Sequence, residues 1–151
     1  MKIENGLMAR ECNCLAIRQA SRHVTQFYDQ LLAPSGLRTT QFAILSRLQR
    51  GGPMTINALA AALVMDRTTL GRNILPLERE ALIEIGPGAS DRRRREIRLS
   101  AAGAARLVAA RRGWAKAQAR FDTVFGSERA AALRDLLREV AASDFAAAER
   151  D

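Results

Sequence analysis

The sequence predicts a mainly α-helical fold carrying one small β-hairpin. Three observations predict it. Apolar residues recur in steps of three and four along most of the chain, the mark of helices with one buried face. Two short helical stretches, opened by Thr55 and Asp66, follow one another across a brief turn. The alternating run Glu96-Ile97-Arg98-Leu99 stands opposite Leu82-Ile83-Glu84-Ile85, with an arginine-loaded turn between them.

Each element has its own signal. Cys14, Ile17, Ser21, Val24, Tyr28 and Leu31 share one face of a first helix, which Pro34-Ser35-Gly36 ends. A second helix starts near Thr39-Thr40, carries Phe42, Leu45 and Leu48, and stops at Gly51-Gly52-Pro53. Thr55 caps a short helix with Ile56, Leu59 and Leu63 inside. Asp66 caps the next, with Leu70, Ile74, Leu77 and Ala81 on its apolar side. Pro76 is expected to kink that helix, because it lacks an N–H and clashes with the carbonyl of Arg72. Gly86 to Ser90 reads as the turn of the hairpin. Ser100 caps a long helix bearing Leu107, Trp114, Phe121 and Phe125, and Ser127 caps the last, with Leu133, Leu136, Leu137 and Val140 inside.

Composition narrows the function. The 151 residues suggest one domain, and 48% apolar with 26% charged residues is an ordinary globular mix. The formal charge is +8, from 24 Lys+Arg against 16 Asp+Glu, and favours a polyanionic partner. The start, Met1-Lys2-Ile3-Glu4-Asn5, has no apolar region behind it, and the longest apolar run, Ala58 to Met65, is far too short to span a bilayer. A cytoplasmic protein with reduced cysteines and no membrane partner is expected. No His-partnered nucleophile, phosphate-cradling glycine loop or metal-ligand cluster is visible, so neither an enzyme, a cofactor nor a metal is expected.

Two constellations point to double-stranded DNA. On the Asp66 helix the apolar positions leave Arg67, Thr68, Thr69 and Arg72 facing outward near the N-terminus, where they can bond base edges or phosphates in a major groove. The plainer reading is a solvated helix face. At the hairpin, Asp91 precedes Arg92, Arg93, Arg94 and Arg95. Four consecutive arginines repel one another, which makes little sense for stability and good sense beside phosphates or in a narrow minor groove. The plainer reading there is an exposed flexible loop.

From Asp66-Arg67-Thr68-Thr69-Leu70 through Leu77 to Ile83, then Asp91-Arg92-Arg93 and Leu99 to Gly103, the chain resembles the MarR family of regulators. Asp91 and Arg93 match the family's Asp-x-Arg on the wing. Leu99, Ser100 and Gly103 match the leucine, hydroxyl residue and glycine after it, with Ser100 for the usual Thr. Ala81 stands where the family often has Gly. The resemblance implies a single winged helix-turn-helix domain over 1–151. Its helical dimerisation region would be about 1–34 and 101–151, and its DNA-binding part about 37–100. It also implies a homodimer, a palindromic operator and release by an effector, with repression as the expected sign.

Cys14, the Ser21-Arg22 pair and Tyr28 are similarly spaced in the family's organic-hydroperoxide sensors, although Arg18 and Thr39 stand where further tyrosines would be expected. Cys12 and Cys14 sit about 200° apart around a helix and do not face each other. Cys14 is open to three readings: a small core residue, the wall of a ligand pocket, or a redox switch. The pocket reading places a small aromatic or apolar acid between the first helix, the second helix and the helix after Ser100. Cys14, Ser21, Phe42 and Leu45 would line it, and Arg18 would meet the acid. Non-specific nucleic-acid binding and peripheral membrane attachment are the competing classes. The latter wants a basic amphipathic helix, whereas the arginines here cluster on a hairpin.

Overall fold

The computed structural model describes residues 10–147. The opening stretch Met1 to Asn5 lies outside them, as do the outermost ends of the predicted 1–34 and 101–151 regions. The elements are α1 (Asn13–Leu32), a single 3-10 turn (Ala33–Ser35), α2 (Thr39–Gly51), β1 (Met54–Thr55), α3 (Ile56–Ala62), α4 (Arg67–Arg79), β2 (Ile83–Pro87), β3 (Arg95–Leu99), α5 (Ala101–Phe125) and α6 (Ser127–Ala142). The described residues are mainly helical with a small antiparallel sheet, the winged helix-turn-helix arrangement.

Helix starts follow capping chemistry. Thr55 Oγ1 accepts from the Ala58 N–H, an Asp66 carboxylate oxygen from Thr69, and Ser100 Oγ from Gly103. The start of α2 is held from outside, since both the N–H and the hydroxyl of Thr39 donate to Asp29 of α1, each at 2.7 Å. Gly52, at φ 71°, ends α2 in a conformation that glycine adopts without strain. The last helix differs slightly from expectation, with Gly126 as its N-cap and Ser127 as its first residue.

One core joins the helix-turn-helix to the sheet and the long helix. Ile44, Leu45 and Leu48 of α2, Leu59 of α3, Leu70 and Leu77 of α4, Leu82, Ile83, Ile97 and Leu107 are almost wholly buried. Ala81 is not on this apolar side. It is exposed and left-handed at φ 55°, where the chain turns from α4 into β2. Helix α4 continues through Pro76 to Arg79.

The hairpin is one part of a three-stranded sheet of order β1-β3-β2. Met54 pairs with Ile97 and Thr55 with Glu96, a two-residue strand too short to show any period in sequence. The strand expected to end at Ile85 runs to Pro87, with Gly86 opposite Glu96 and Pro87 opposite Arg95. Pro87 is tolerated because β2 is an edge strand, so no ladder partner requires its missing N–H.

Helices α1 and α5 approach closely, and Gly113 allows it. A Cβ there would lie 2.2 Å from the Leu31 carbonyl oxygen. Leu32 is buried in this contact. The N-terminal half of α1 packs on little of its own chain, since Cys14, Ile17 and Ser21 are all exposed. The apolar face of α6 is likewise not inside a single chain. Leu133 is half-buried, while Leu136, Leu137 and Val140 are 59%, 43% and 41% exposed.

Candidate functional site

The first surface is built on α4 and the wing. Arg67, Thr68, Thr69 and Arg72 are all exposed, and Leu70, Ile74 and Leu77 anchor the opposite face of the helix. They do not present equal chemistry. Thr69 Oγ1 donates to Asp66 Oδ2 at 2.5 Å, and its N–H donates to Oδ1, so Thr69 is engaged in the cap. These two bonds, the hydroxyl's first, hold the Asp66 carboxyl below its ordinary value of 3.8. Arg67, Thr68 and Arg72 stand free of any side-chain hydrogen bond or ion pair among the described residues.

At the wing, Asp91 organises the tip. An oxygen of its carboxylate accepts from the Arg93 N–H at 3.0 Å, its carbonyl accepts from the Arg94 N–H, and Arg94 Nε lies 3.8 Å from its other carboxylate oxygen. The Gly88 N–H closes the loop onto the Arg94 carbonyl at 2.7 Å. Arg92, Arg93 and Arg95 are thereby left exposed on a short, hydrogen-bonded turn. The turn is shaped by Asp91, and the charge it displays comes from its neighbours.

The second feature is a cavity of about 750 Å³ between α1, α2 and α5, reaching the end of α3. Phe42, which the pocket reading named, lines it, and so does Tyr28, which that reading did not name. The other expected residues are elsewhere. Cys14, Arg18 and Ser21 are exposed on the N-terminal half of α1, and Leu45 is fully buried in the core. Helical periodicity places residues on a face but does not say how far along the face a neighbouring helix reaches. In this chain α5 meets α1 near Leu31, about 25 Å by helix rise from Cys14.

The cavity's cations come instead from Arg47 and Arg50 of α2 and Arg111 of α5, with Thr39, Ser46 and Gln49 as neutral polar neighbours. These arginines were missed in the sequence. Arg47 follows the core positions Ile44 and Leu45 at helical spacing, and Arg111 precedes Trp114 by three. Both signals are also those of ordinary solvated helix residues. Phe42 and Trp114, both lining the cavity, stack on each other with ring centroids 6.2 Å apart and planes 17° from parallel. The Tyr28 hydroxyl donates to Gln118 Oε1. Burial, and then the charge of Asp122, push the Tyr28 phenol above its ordinary value, with Arg134 opposing them.

Cys12 is the N-cap of α1, and its sulfur accepts from the Leu15 N–H at 3.4 Å. Cys14 is exposed and, by helix rise, about 21 Å from Tyr28 of the same chain. That tyrosine therefore cannot bond its sulfur within one subunit. Among the described residues, no helix is long and apolar enough to cross a membrane.

A family model described as the MarR family matches residues 35–94, the helix-turn-helix and most of the wing. Among solved structures, the chain is similar to the transcriptional regulator MosR of M. tuberculosis. The two share 32% identity over 89% of this chain and 99% of that one, with a TM-score of 0.75. BpsR of Bordetella bronchiseptica, whose DNA binding is regulated by 6-hydroxynicotinic acid, shares the fold at a TM-score of 0.79. Its identity is 21%, over 89% of this chain and 96% of that one. A mutant MarR of E. coli complexed with operator DNA shares the fold at a TM-score of 0.76 and 20% identity, over 91% of this chain and 95% of that one. Among curated proteins none matches the chain. With the exposed row on α4, the Asp91-shaped wing and the likeness to MosR over nearly the whole length of both chains, the protein belongs to the MarR family of winged helix-turn-helix DNA-binding transcription regulators and is not an enzyme.

Proposed function

We propose that this regulator is a homodimeric repressor that holds a palindromic operator and is released from it by a small aromatic or acidic ligand. The observation that carries the reading is the pairing of two exposed cationic surfaces on one rigid lobe. Arg67, Thr68 and Arg72 on α4 would enter a major groove, and Arg92, Arg93 and Arg95 on the wing would reach phosphates or a minor groove. Thr69 and Asp91 act by holding those side chains in place. The helical region of about 1–34 and 101–151 is the dimerisation part, and 37–100 the DNA-binding part. The unpartnered apolar faces of α1 and α6 support that division. The ligand would sit in the cavity beside Phe42, between the two parts. The DNA binding of BpsR, a protein of the same fold, is regulated by 6-hydroxynicotinic acid, which supports an aromatic acid as the class of ligand.

The test is operator binding by fluorescence anisotropy at several salt concentrations, on a site found by genomic footprinting. Arg93→Ala should weaken binding and flatten its salt dependence, because a phosphate or minor-groove charge is lost. Arg72→Ala should change base preference, by about 1–3 kcal/mol for a good contact. Uniform footprints without palindromes, or an Arg93→Ala protein that binds like wild type at every salt concentration, would overturn the proposal. A thiol-based release mechanism makes a different prediction: peroxide would free the DNA from wild type and leave Cys14→Ser bound.

A further inference from the structure

We propose that the cavity between α1, α2 and α5 takes an aromatic dianion, of the aryl phosphate or aromatic dicarboxylate kind, in preference to a monocarboxylate. The proposal rests on the effector reading above and specifies the charge of the ligand. Three arginines, Arg47, Arg50 and Arg111, line the cavity, and no aspartate or glutamate does. Among the described residues none of the three is in an ion pair. Arg47 Nε is buried and has no hydrogen-bond partner within the described residues. A buried guanidinium N–H without an acceptor is costly, and such groups are normally satisfied. That nitrogen has no accessible surface in the unliganded chain, so Arg47 has to shift for a ligand to become its acceptor.

The count of cations sets the charge. Arg47 and Arg50 are three residues apart and so neighbour each other on α2. Arg111 faces them from α5 and donates to Gln49 Oε1 at 3.3 Å. One carboxylate engages one guanidinium fork well, and a second anionic group is needed for the next. Phe42 and Trp114 supply the apolar wall for a ring, and a volume of about 750 Å³ accommodates a ligand of ordinary small-molecule size. The same geometry couples binding to regulation. The Arg111–Gln49 bond ties the long helix to α2 of the DNA-binding lobe, and a ligand anion competes with Gln49 for that guanidinium. Occupancy therefore bears on the contact between α5 and α2, and it drives release only to the extent that the ligand binds the DNA-free arrangement more tightly.

Trp114 is the chain's only tryptophan, so emission from the intact protein reports on the cavity directly. Four probes are titrated at mildly alkaline pH: phenyl phosphate, phthalate, benzoate and inorganic phosphate. At least one aromatic dianion should bind saturably, about ten-fold or more tighter than benzoate, which is the worth of one further charge-assisted contact. The ranking of phenyl phosphate against phthalate assigns the source of the charge, and weaker binding of inorganic phosphate shows that the ring contributes. Arg47→Gln should lose about ten-fold in dianion affinity and little in benzoate affinity. Arg111→Gln, at an exposed position, should do the same if Arg47→Gln melts early. Benzoate binding as tightly as both dianions, no saturable response to either dianion, or both variants titrating like wild type would overturn the proposal. Operator affinity of the unliganded protein is measured separately. Its loss would count against the repressor reading and leave the tryptophan titration intact as the measure of the cavity.

Discussion

Val64 is the residue at which the backbone is most at odds with its side chain. It lies in the turn between α3 and α4 at φ 52°, and it is 74% exposed. A β-branched residue is a true outlier there, at a cost of about 1–2 kcal/mol relative to a right-handed conformation. Glycine removes that cost, and the greater freedom of the unfolded chain offsets it by about 0.4–1 kcal/mol. Val64→Gly should therefore raise stability by roughly 0.5–1 kcal/mol, since little buried surface is lost. Chemical denaturation checks this, and a variant that unfolds earlier than wild type would contradict it. Asp66 carries a pH signature. Its folded value lies below the unfolded 3.8, so its contribution is fully present above that value and is lost as pH falls through the depressed one. Melting Asp66→Ala beside wild type should show a stability gap that is constant at neutral and mildly acidic pH and closes below about 3.8. Sequence showed Asp66 as a cap. It did not show that the Thr69 hydroxyl is drawn into the same cap, because the rotamer depends on both ends of the bond.

At the scale of elements, close approach decides more than propensity. Gly113 brings α5 against the backbone of α1, and Gly103 brings the start of α5 against the Leu82 carbonyl, where a Cβ would lie 2.0 Å away. Backbone cannot yield as a flexible side chain does. Gly113→Ala should cost at least about 1–3 kcal/mol, the usual range for overpacking, and should shift α1 relative to α2. Gly71 of α4 is the contrast, with nothing within 4 Å of its Cβ position. Gly71→Ala should be neutral or stabilising by up to about 1 kcal/mol through helix propensity alone. Thermal melts of the two variants check the pair, and equal effects would show that the α1–α5 contact is looser than described. Glycines of both kinds look alike in sequence, because the atoms that distinguish them belong to another element.

For the whole molecule, the apolar faces of α1 and α6 are the unfinished part of a single chain. Leu137 is 43% exposed on α6 and Ile17 42% on α1, although both occupy positions that helical periodicity marks as inside. A second subunit would cover them and set two α4 helices about 34 Å apart, the spacing of successive major grooves. Leu137→Asp places a charge in that seam while disturbing little within its own chain. The variant should sediment as a folded monomer at micromolar concentration and lose operator affinity, whereas wild type sediments as a dimer. A wild-type monomer would refute the arrangement.

The sequence alone determined the helix order, the caps at Thr55, Asp66 and Ser100, the helix-turn-helix and the arginine wing. These are local effects, carried by residues within a turn or a period of one another. It also held enough of the Asp-x-Arg pattern to indicate the family. Only the tertiary structure decided which cations share a cavity. Arg18 lay one step from an apolar face and looked like the ligand's partner, yet it is exposed and does not line the cavity. Arg47 and Arg111, 64 residues apart in their numbering, meet because α2 and α5 pack on the same core. The strand Met54–Thr55 became visible for the same reason, since two residues have no period and are defined by their partner on β3. Features that depend on neighbours in the chain can be read along it, and those that depend on neighbours in space require the packing that brings them together.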